Sequence, residues 1–219
     1  VTEQHVDKIK HDTIIISDIH LGSPLCQAKD LLEFLKRIEV KRLILNGDVF
    51  EDLKRTYRLH RQHWAVLEQL RSMSDNCEVV WVKGNHDTLY RNKKEDLIAI
   101  SNLLGIKMKY QLIFTVGINR CLAIHGDKWD NYIYKYQTIS AMVTWFYDRL
   151  KETSSSRMRA IVKWIKKKSK MLMRNSDYVM HGALDYAEDL DCNVAVCGHT
   201  HYAMLEKSEN ITYANCGTW

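Results

Sequence analysis

Arg42–Asp48, RLILNGD, decides how this chain is read. A short apolar, β-branched run of the length of a buried strand passes straight into a glycine and an aspartate. The same shape recurs on both sides of it. TIIIS (13–17) leads to Asp18-Ile19-His20, and CEVVWV (77–82) leads through Lys83 to Gly84-Asn85-His86-Asp87. RCLAI (120–124) leads to His125-Gly126-Asp127, and NVAVC (193–197) leads to Gly198-His199-Thr200-His201. ITYANC (211–216) is a further run of the same kind. Helical patterns lie between them: Ala28, Leu31, Leu32, Leu35 and Ile38 form one amphipathic face, and Leu59 to Met73 and Glu95 to Leu104 read as two more helices. Strands alternating with helices predict an α/β fold whose sheet is largely parallel in its first half.

The composition fits that reading. The chain has 219 residues, 46% hydrophobic and 27% charged, which is ordinary for a soluble globular protein. It is long enough for a substantial core in one domain, 1–219. No apolar run approaches the ~20 residues of a membrane-spanning helix. The polar start VTEQHVDKIK does not read as a signal peptide. Six cysteines without a C-x-x-C pair read as buried free thiols in a reducing cytoplasm.

From Tyr132 to Leu190 no strand is expected. Residues 132–170 read as a helical insertion, a lid or cap on the α/β body, with another helix from about Ser176 to Asp189. The net charge of +5 concentrates there. Arg149–Arg174 holds ten Lys+Arg and one acid, or +9, while the remainder holds 22 and 26, or −4. A solvated helix face is one reading of that stretch. The other is an anion-binding lid or membrane-surface contact, with Arg157, Lys163 and Lys167 as substrate-binding residues. Trp145, Phe146 and Trp164 read as core, with an acyl-chain chamber as the alternative.

Five strand-like runs end in Asp, His, Asn and Gly. In open α/β sheets ligands bind beyond the carboxyl ends of strands, so these ends are expected to converge on one site. Carboxylates, imidazoles and a carboxamide suit divalent ions such as Mn²⁺, Fe²⁺ and Zn²⁺ without any thiolate. D-x-H and H-x-H alternate like strand positions, which would point both members of each pair the same way. His60 and His63, at i and i+3, read as an exposed or cleft-rim face. Asp127 and Asp130 read as a loop-capping pair, with a role beside His125 or towards substrate as the alternative.

On these blocks (D-x-H, G-D, G-N-H-D, H-G and G-H-x-H, spanning Asp18 to His201) the sequence resembles the calcineurin-like metallophosphoesterases. The resemblance implies a four-layer sandwich of two mixed β-sheets flanked by helices, with a two-metal centre. It implies that Asp18, His20, Asp48 and His201 bind the first metal, that Asp48 bridges, and that Asn85, His125 and His199 bind the second. His86 would face the phosphate as acid or electrostatic stabiliser, oriented by Asp87. Two close dications hold a hydroxide between them, and this metal-bridging hydroxide would attack phosphorus in line. Many members carry a second Asp three residues after the G-D aspartate, followed by Arg; here Glu51 and Asp52 stand there instead. SDIHLGSPLCQAKDLLEFL, HGDKWDNYI and VAVCGHTH with YANCGTW also resemble the bacterial UDP-2,3-diacylglucosamine hydrolase-like branch, whose best-known members have Arg where this chain has His86. A nuclease or nucleotide phosphodiesterase is the alternative enzyme, and a non-catalytic scaffold of the same fold the alternative outside enzymes.

Overall fold

The computed structural model describes residues 8–87, 94–130, 170–208 and 210–219. The first half is a run of strand–helix–strand crossovers: β1 (Ile9–Ile16), α1 (Ala28–Arg37), β2 (Ile38–Asn46), α2 (Arg61–Ser74), β3 (Glu78–Val82), α3 (Lys94–Leu103) and β4 (Lys107–Lys109). These four strands make one sheet in the order β1-β2-β3-β4, parallel throughout. A helix between each pair of strands makes that direction natural. The second sheet contains β5 (Gln111–Val116), β6 (Asn119–Ile124), β7 (Val194–Cys197), β8 (Met204–Lys207) and β9 (Thr212–Asn215) in the order β5-β6-β7-β9-β8. It is mixed, with β5 antiparallel to β6, β6 parallel to β7, β7 parallel to β9 and β8 antiparallel to β9. The expected layered α/β sandwich is therefore present, with one parallel and one mixed sheet.

The period-2 alternation of each strand sorts its side chains into layers. Leu43, Leu45, Val79 and Trp81 face a core shared with α1 and α2, including Leu31, Leu35, Val66 and Leu70. Ile44, Val80 and Val82 face the other way and meet Leu112, Phe114, Cys121 and Ala123 of the second sheet. Leu122, Ile124, Ala195 and Cys197 then face α4 (Lys170–Asp189) through Val179, Ala183 and Ala187. Burial on both faces explains why the central strands are apolar without interruption.

Several boundaries differ from the sequence reading. Ile38 belongs to β2: α1 ends at Arg37, and Ile38 is extended at φ −91, ψ 147 and pairs with Ile9. The last helix begins at Lys170 rather than near Ser176. β4, β5 and β8 were not anticipated; β4 and β8 are short and carry charged residues, and both lie at sheet edges. His63 is buried, and its Nδ1 accepts the backbone N–H of His60 at 3.0 Å, so it braces the start of α2 rather than lining a cleft rim. The proposed insertion, 132–170, and Arg157, Lys163 and Lys167 lie outside the described residues, apart from Lys170 at the start of α4. Among the described residues no helix is long and apolar enough to cross a membrane, and all six cysteines are free thiols.

Candidate metal centre

The motif residues follow strand ends of both sheets. Asp18 and His20 come after β1, Asp48 after β2, and Asn85 and His86 after β3. His125 comes after β6, and His199 and His201 after β7. The loop bearing Asp18 and His20 is laddered to the loop bearing Asp48: Asp18 N–H donates to Gly47 C=O at 3.0 Å, and His20 N–H to Asp48 C=O at 2.9 Å. Simple strand alternation does not align D-x-H. Asp18 (φ 54), His20 (φ 52), Asp48 (φ 52), His199 (φ 64) and His201 (φ 56) all adopt the left-handed conformation, and the one other described non-glycine residue that does so is Asp191. Asp and His tolerate this region better than most residues, but each such residue carries strain. Its concentration at one spot is the mark of a functional site.

Two groups of donor atoms adjoin there. In the first, Asp18 Oδ1 is 3.1 Å from His201 Nε2, and His201 Nε2 is 3.1 Å from His20 Nε2. In the second, His125 Nε2 is 3.2 Å from Asp48 Oδ2 and 3.2 Å from Asn85 Oδ1, which is itself 3.0 Å from His199 Nδ1. Asp48 Oδ2 is also 3.9 Å from His20 Nε2, so one carboxylate oxygen faces both groups. The histidine, aspartate and asparagine donors are the borderline-to-hard set that suits a divalent ion. All seven metal-ligand positions read from the sequence are thus brought together.

Glycine gives these groups room. A Cβ at Gly84 would overlap the Asp48 carboxylate, and one at Gly198 would overlap Ser17 Oγ and the Asp18 carboxylate. Hydrogen bonds fix the far sides of the ligands. Ser17 Oγ bonds the Asp18 carboxylate, and His199 N–H donates to Asp18 Oδ2 at 3.0 Å. Asp48 Oδ1 accepts the His86 N–H at 2.8 Å. His125 Nδ1 lies 2.9 Å from Asn46 C=O; a carbonyl accepts only, so Nδ1 carries the proton and Nε2 faces the site.

Electrostatics agree with a site built for cations. Burial alone would lower the His125 pKa, but the Asp48 and Asp18 carboxylates and the Asn46 carbonyl overcome it and raise it to about 10. Burial likewise opposes the charged form of His20, yet Asp18, Glu51 and Asp48 raise it to about 9. Burial would raise both Asp18 and Asp48, and the surrounding imidazoles instead hold them below the usual carboxylate range. The carboxylates that favour the charged form of His20 and His125 would equally favour the charge of a metal.

Three positions change the sequence reading. Asp87 does not orient His86: it is buried, and its carboxylate accepts from Trp81 Nε1 at 3.0 Å, Gly84 N–H at 3.0 Å and Phe50 N–H at 3.2 Å, bracing the loop. The His86 ring is held by Glu51, whose C=O lies 2.9 Å from Nδ1. The Glu51 carboxylate lies 2.9 Å from His20 Nδ1, so this glutamate does stand behind a ligand. Asp130 is 2.8 Å from His199 Nε2, a carboxylate–histidine pair rather than a loop cap. Its place three residues after Asp127 in HGDKWD was the available signal, but spacing alone could not join it to a histidine 69 residues away.

The chain matches the calcineurin-like phosphoesterase family over residues 12–203 and belongs to that family. Among solved structures it is similar to a phosphopantetheinyl hydrolase from Mycobacterium tuberculosis, at 14% identity and TM-score 0.53, covering 94% of this chain and 89% of that one. It is also similar to vacuolar protein sorting 29 from Cryptosporidium parvum (16% identity, TM-score 0.48, 94% and 73% covered). A third similar structure is an archaeal phosphodiesterase (14% identity, TM-score 0.44, 94% and 83% covered). No curated protein sequence matches significantly. The family and the two donor groups together support metal-dependent phosphoester hydrolysis at a dinuclear divalent centre.

Proposed function

We propose that this chain is a two-metal hydrolase of a phosphoester or pyrophosphate bond, with Mn²⁺ as the preferred ion and Fe²⁺ or Zn²⁺ as substitutes. The carrying observation is the convergence of seven O and N donors on two adjoining positions that share Asp48 Oδ2. Two bound ions supply Lewis-acid polarisation of a phosphoryl oxygen and a lowered pKa for the attacking water. Asp18, His20 and His201 would hold one ion, Asn85, His125 and His199 would hold the other, and Asp48, whose Oδ2 faces both groups, would serve both. Asn85 contributes a neutral oxygen, which limits negative charge where an anionic substrate must enter. With Nδ1–H donated to the Glu51 carbonyl, His86 has Nε2 to offer towards a phosphoryl or leaving-group oxygen. Asp87 acts as a positioning residue by bracing Gly84 and Phe50.

The finer reading concerns substrate and place. The +9 stretch Arg149–Arg174 supports a phosphate-bearing partner, with Arg157, Lys163 and Lys167 meeting its anionic group. A lipid-linked nucleotide sugar such as UDP-2,3-diacylglucosamine, met at an anionic membrane surface on the cytoplasmic side, joins that charge to the branch resemblance. Nucleic acid is the alternative polyanion.

Hydrolysis of bis-(p-nitrophenyl) phosphate tests the chemistry. We expect none in chelator and a rate restored by Mn²⁺; no hydrolysis with any divalent ion in fully metal-loaded protein would overturn the proposal. Binding to a single-stranded oligonucleotide that weakens steeply with salt would favour the nuclease alternative, and salt-independent binding would argue against it.

A further inference from the structure

Each half of the metal centre draws ligands from both sheets, so its geometry depends on how the sheets are joined at their ligand-bearing ends. The contact between the sheets is mostly apolar, through Ile44, Val80 and Val82 against Leu112, Phe114, Cys121 and Ala123. Such packing is non-directional and sets distance loosely compared with hydrogen bonds. At the ligand-bearing end, however, stands Asn46, the last residue of β2 and fully buried.

Asn46 faces the second sheet with both of its amide protons. Nδ2 donates to Ile124 C=O at 3.2 Å, at the end of β6, and to Val196 C=O at 3.2 Å, in β7. Two carbonyl acceptors fix the amide orientation, because the flipped form would set Oδ1 against two oxygens. Its backbone C=O accepts from His125 Nδ1 at 2.9 Å, and Ser17 Oγ lies 2.9 Å from the same oxygen. Ile124 immediately precedes His125, and Asn46 lies two residues before Asp48. Asn46 Oδ1 is buried without a hydrogen-bond partner among the described residues.

We propose that Asn46 is a positioning residue that sets the spacing of Asp48 against His125, and so makes the centre accept two metals as a pair rather than one. The inference rests on the two-metal reading above. Asn46 touches neither metal nor substrate; its side chain acts through the carbonyl ends of β6 and β7, while its backbone carbonyl, kept in every variant, fixes the tautomer of His125.

The test compares Asn46→Ser with Arg42→Ala. Arg42 also joins the sheets, but in β2 away from the ligand loops, by its guanidinium 5.5 Å from the Phe114 ring centre; its bond to Glu78 stays within the first sheet. Folding of each variant is checked by its melt in chelator. Mn²⁺ titration and the electron paramagnetic resonance spectrum of the loaded protein then report stoichiometry and pairing. Wild type and Arg42→Ala are expected to bind two ions with an exchange-coupled signal. Asn46→Ser is expected to bind the second ion about tenfold or more weakly and to give an uncoupled Mn²⁺ signal at one equivalent. Asn46→Thr, closer in volume, carries the same expectation and serves where the serine variant does not fold. Wild-type stoichiometry and coupling in a folded Asn46 variant would overturn the inference, as would an equal loss in Arg42→Ala. A wild-type protein that binds no metal pair would overturn the two-metal reading itself.

Discussion

The two halves of the centre are built to different degrees of enclosure. In the half formed by Asp48, His125 and His199, side-chain exposure is 2%, 0% and 7%. In the half formed by Asp18, His20 and His201 it is 0%, 10% and 32%. The enclosed half is braced from behind, by the Asn46 backbone carbonyl at His125 and the Asp130 carboxylate at His199. The open half depends on Glu51 behind His20, and its rim is His201. One half is therefore the enclosed base of the site, and the other is its more open side.

The largest expected effect removes what the halves share. Asp48→Asn keeps the shape but loses the anionic oxygen facing both groups; activity is expected to fall by about 10²-fold or more, measured as kcat/KM on bis-(p-nitrophenyl) phosphate with saturating Mn²⁺. A smaller effect separates the halves. Glu51→Gln and Asp130→Asn each weaken a carboxylate behind one histidine, and each is expected to cost about 10- to 100-fold in metal affinity. In calorimetric titrations the loss falls on different ions: the more exchangeable one for Glu51→Gln and the slower one for Asp130→Asn. Identical losses in both steps for both variants would break the distinction. Competition with a chelator sharpens it further, with the open half expected to release its ion first.

Stability against pH gives the next effect, read by thermal melts. His20 and His125 have folded pKa values of about 9 and about 10, above the ordinary 6.5. Their contribution is full below pH 6.5 and disappears as pH rises through 9 to 10. Asp18 and Asp48 are held below 3.8, so their contribution is present above that pH and lost as pH falls further. Metal-free protein is expected to melt highest between pH 3.8 and 6.5 and progressively lower towards pH 10. Added Mn²⁺ should reverse that trend, since binding displaces the same protons. The smallest effect is at His63, whose pKa burial and His60 lower from 6.5. Its neutral ring braces α2, so wild type should lose stability below pH 6.5 by an increment that His63→Gln does not show.

Most of the converging donor set was legible because scarce glycines and polar residues interrupt apolar strands at the places where the chain must turn. RLILNGD identified β2 and Asp48 together. Sequence spacing could not supply the residues standing behind the ligands. Asp130 meets His199 across 69 residues, and Glu51 meets His20 across 31, contacts made where the loops after neighbouring strands, β6 and β7 or β1 and β2, lie side by side. Asn46 looked like a polar end to a strand, and its role at the sheet junction exists only once β6 and β7 lie beside it. Local pattern also misled in two places. The D-x-H pair is aligned by left-handed backbone rather than by strand alternation, and Ile38 fits a helical face yet starts β2.

The central claim is that the two halves form one working centre. Its most direct measurement is the rate of bis-(p-nitrophenyl) phosphate hydrolysis as metal-free protein receives Mn²⁺ in known equivalents. Activity is expected to keep rising past one equivalent and to reach its plateau only at two. A plateau reached at one equivalent, or no hydrolysis with two ions bound, would contradict it.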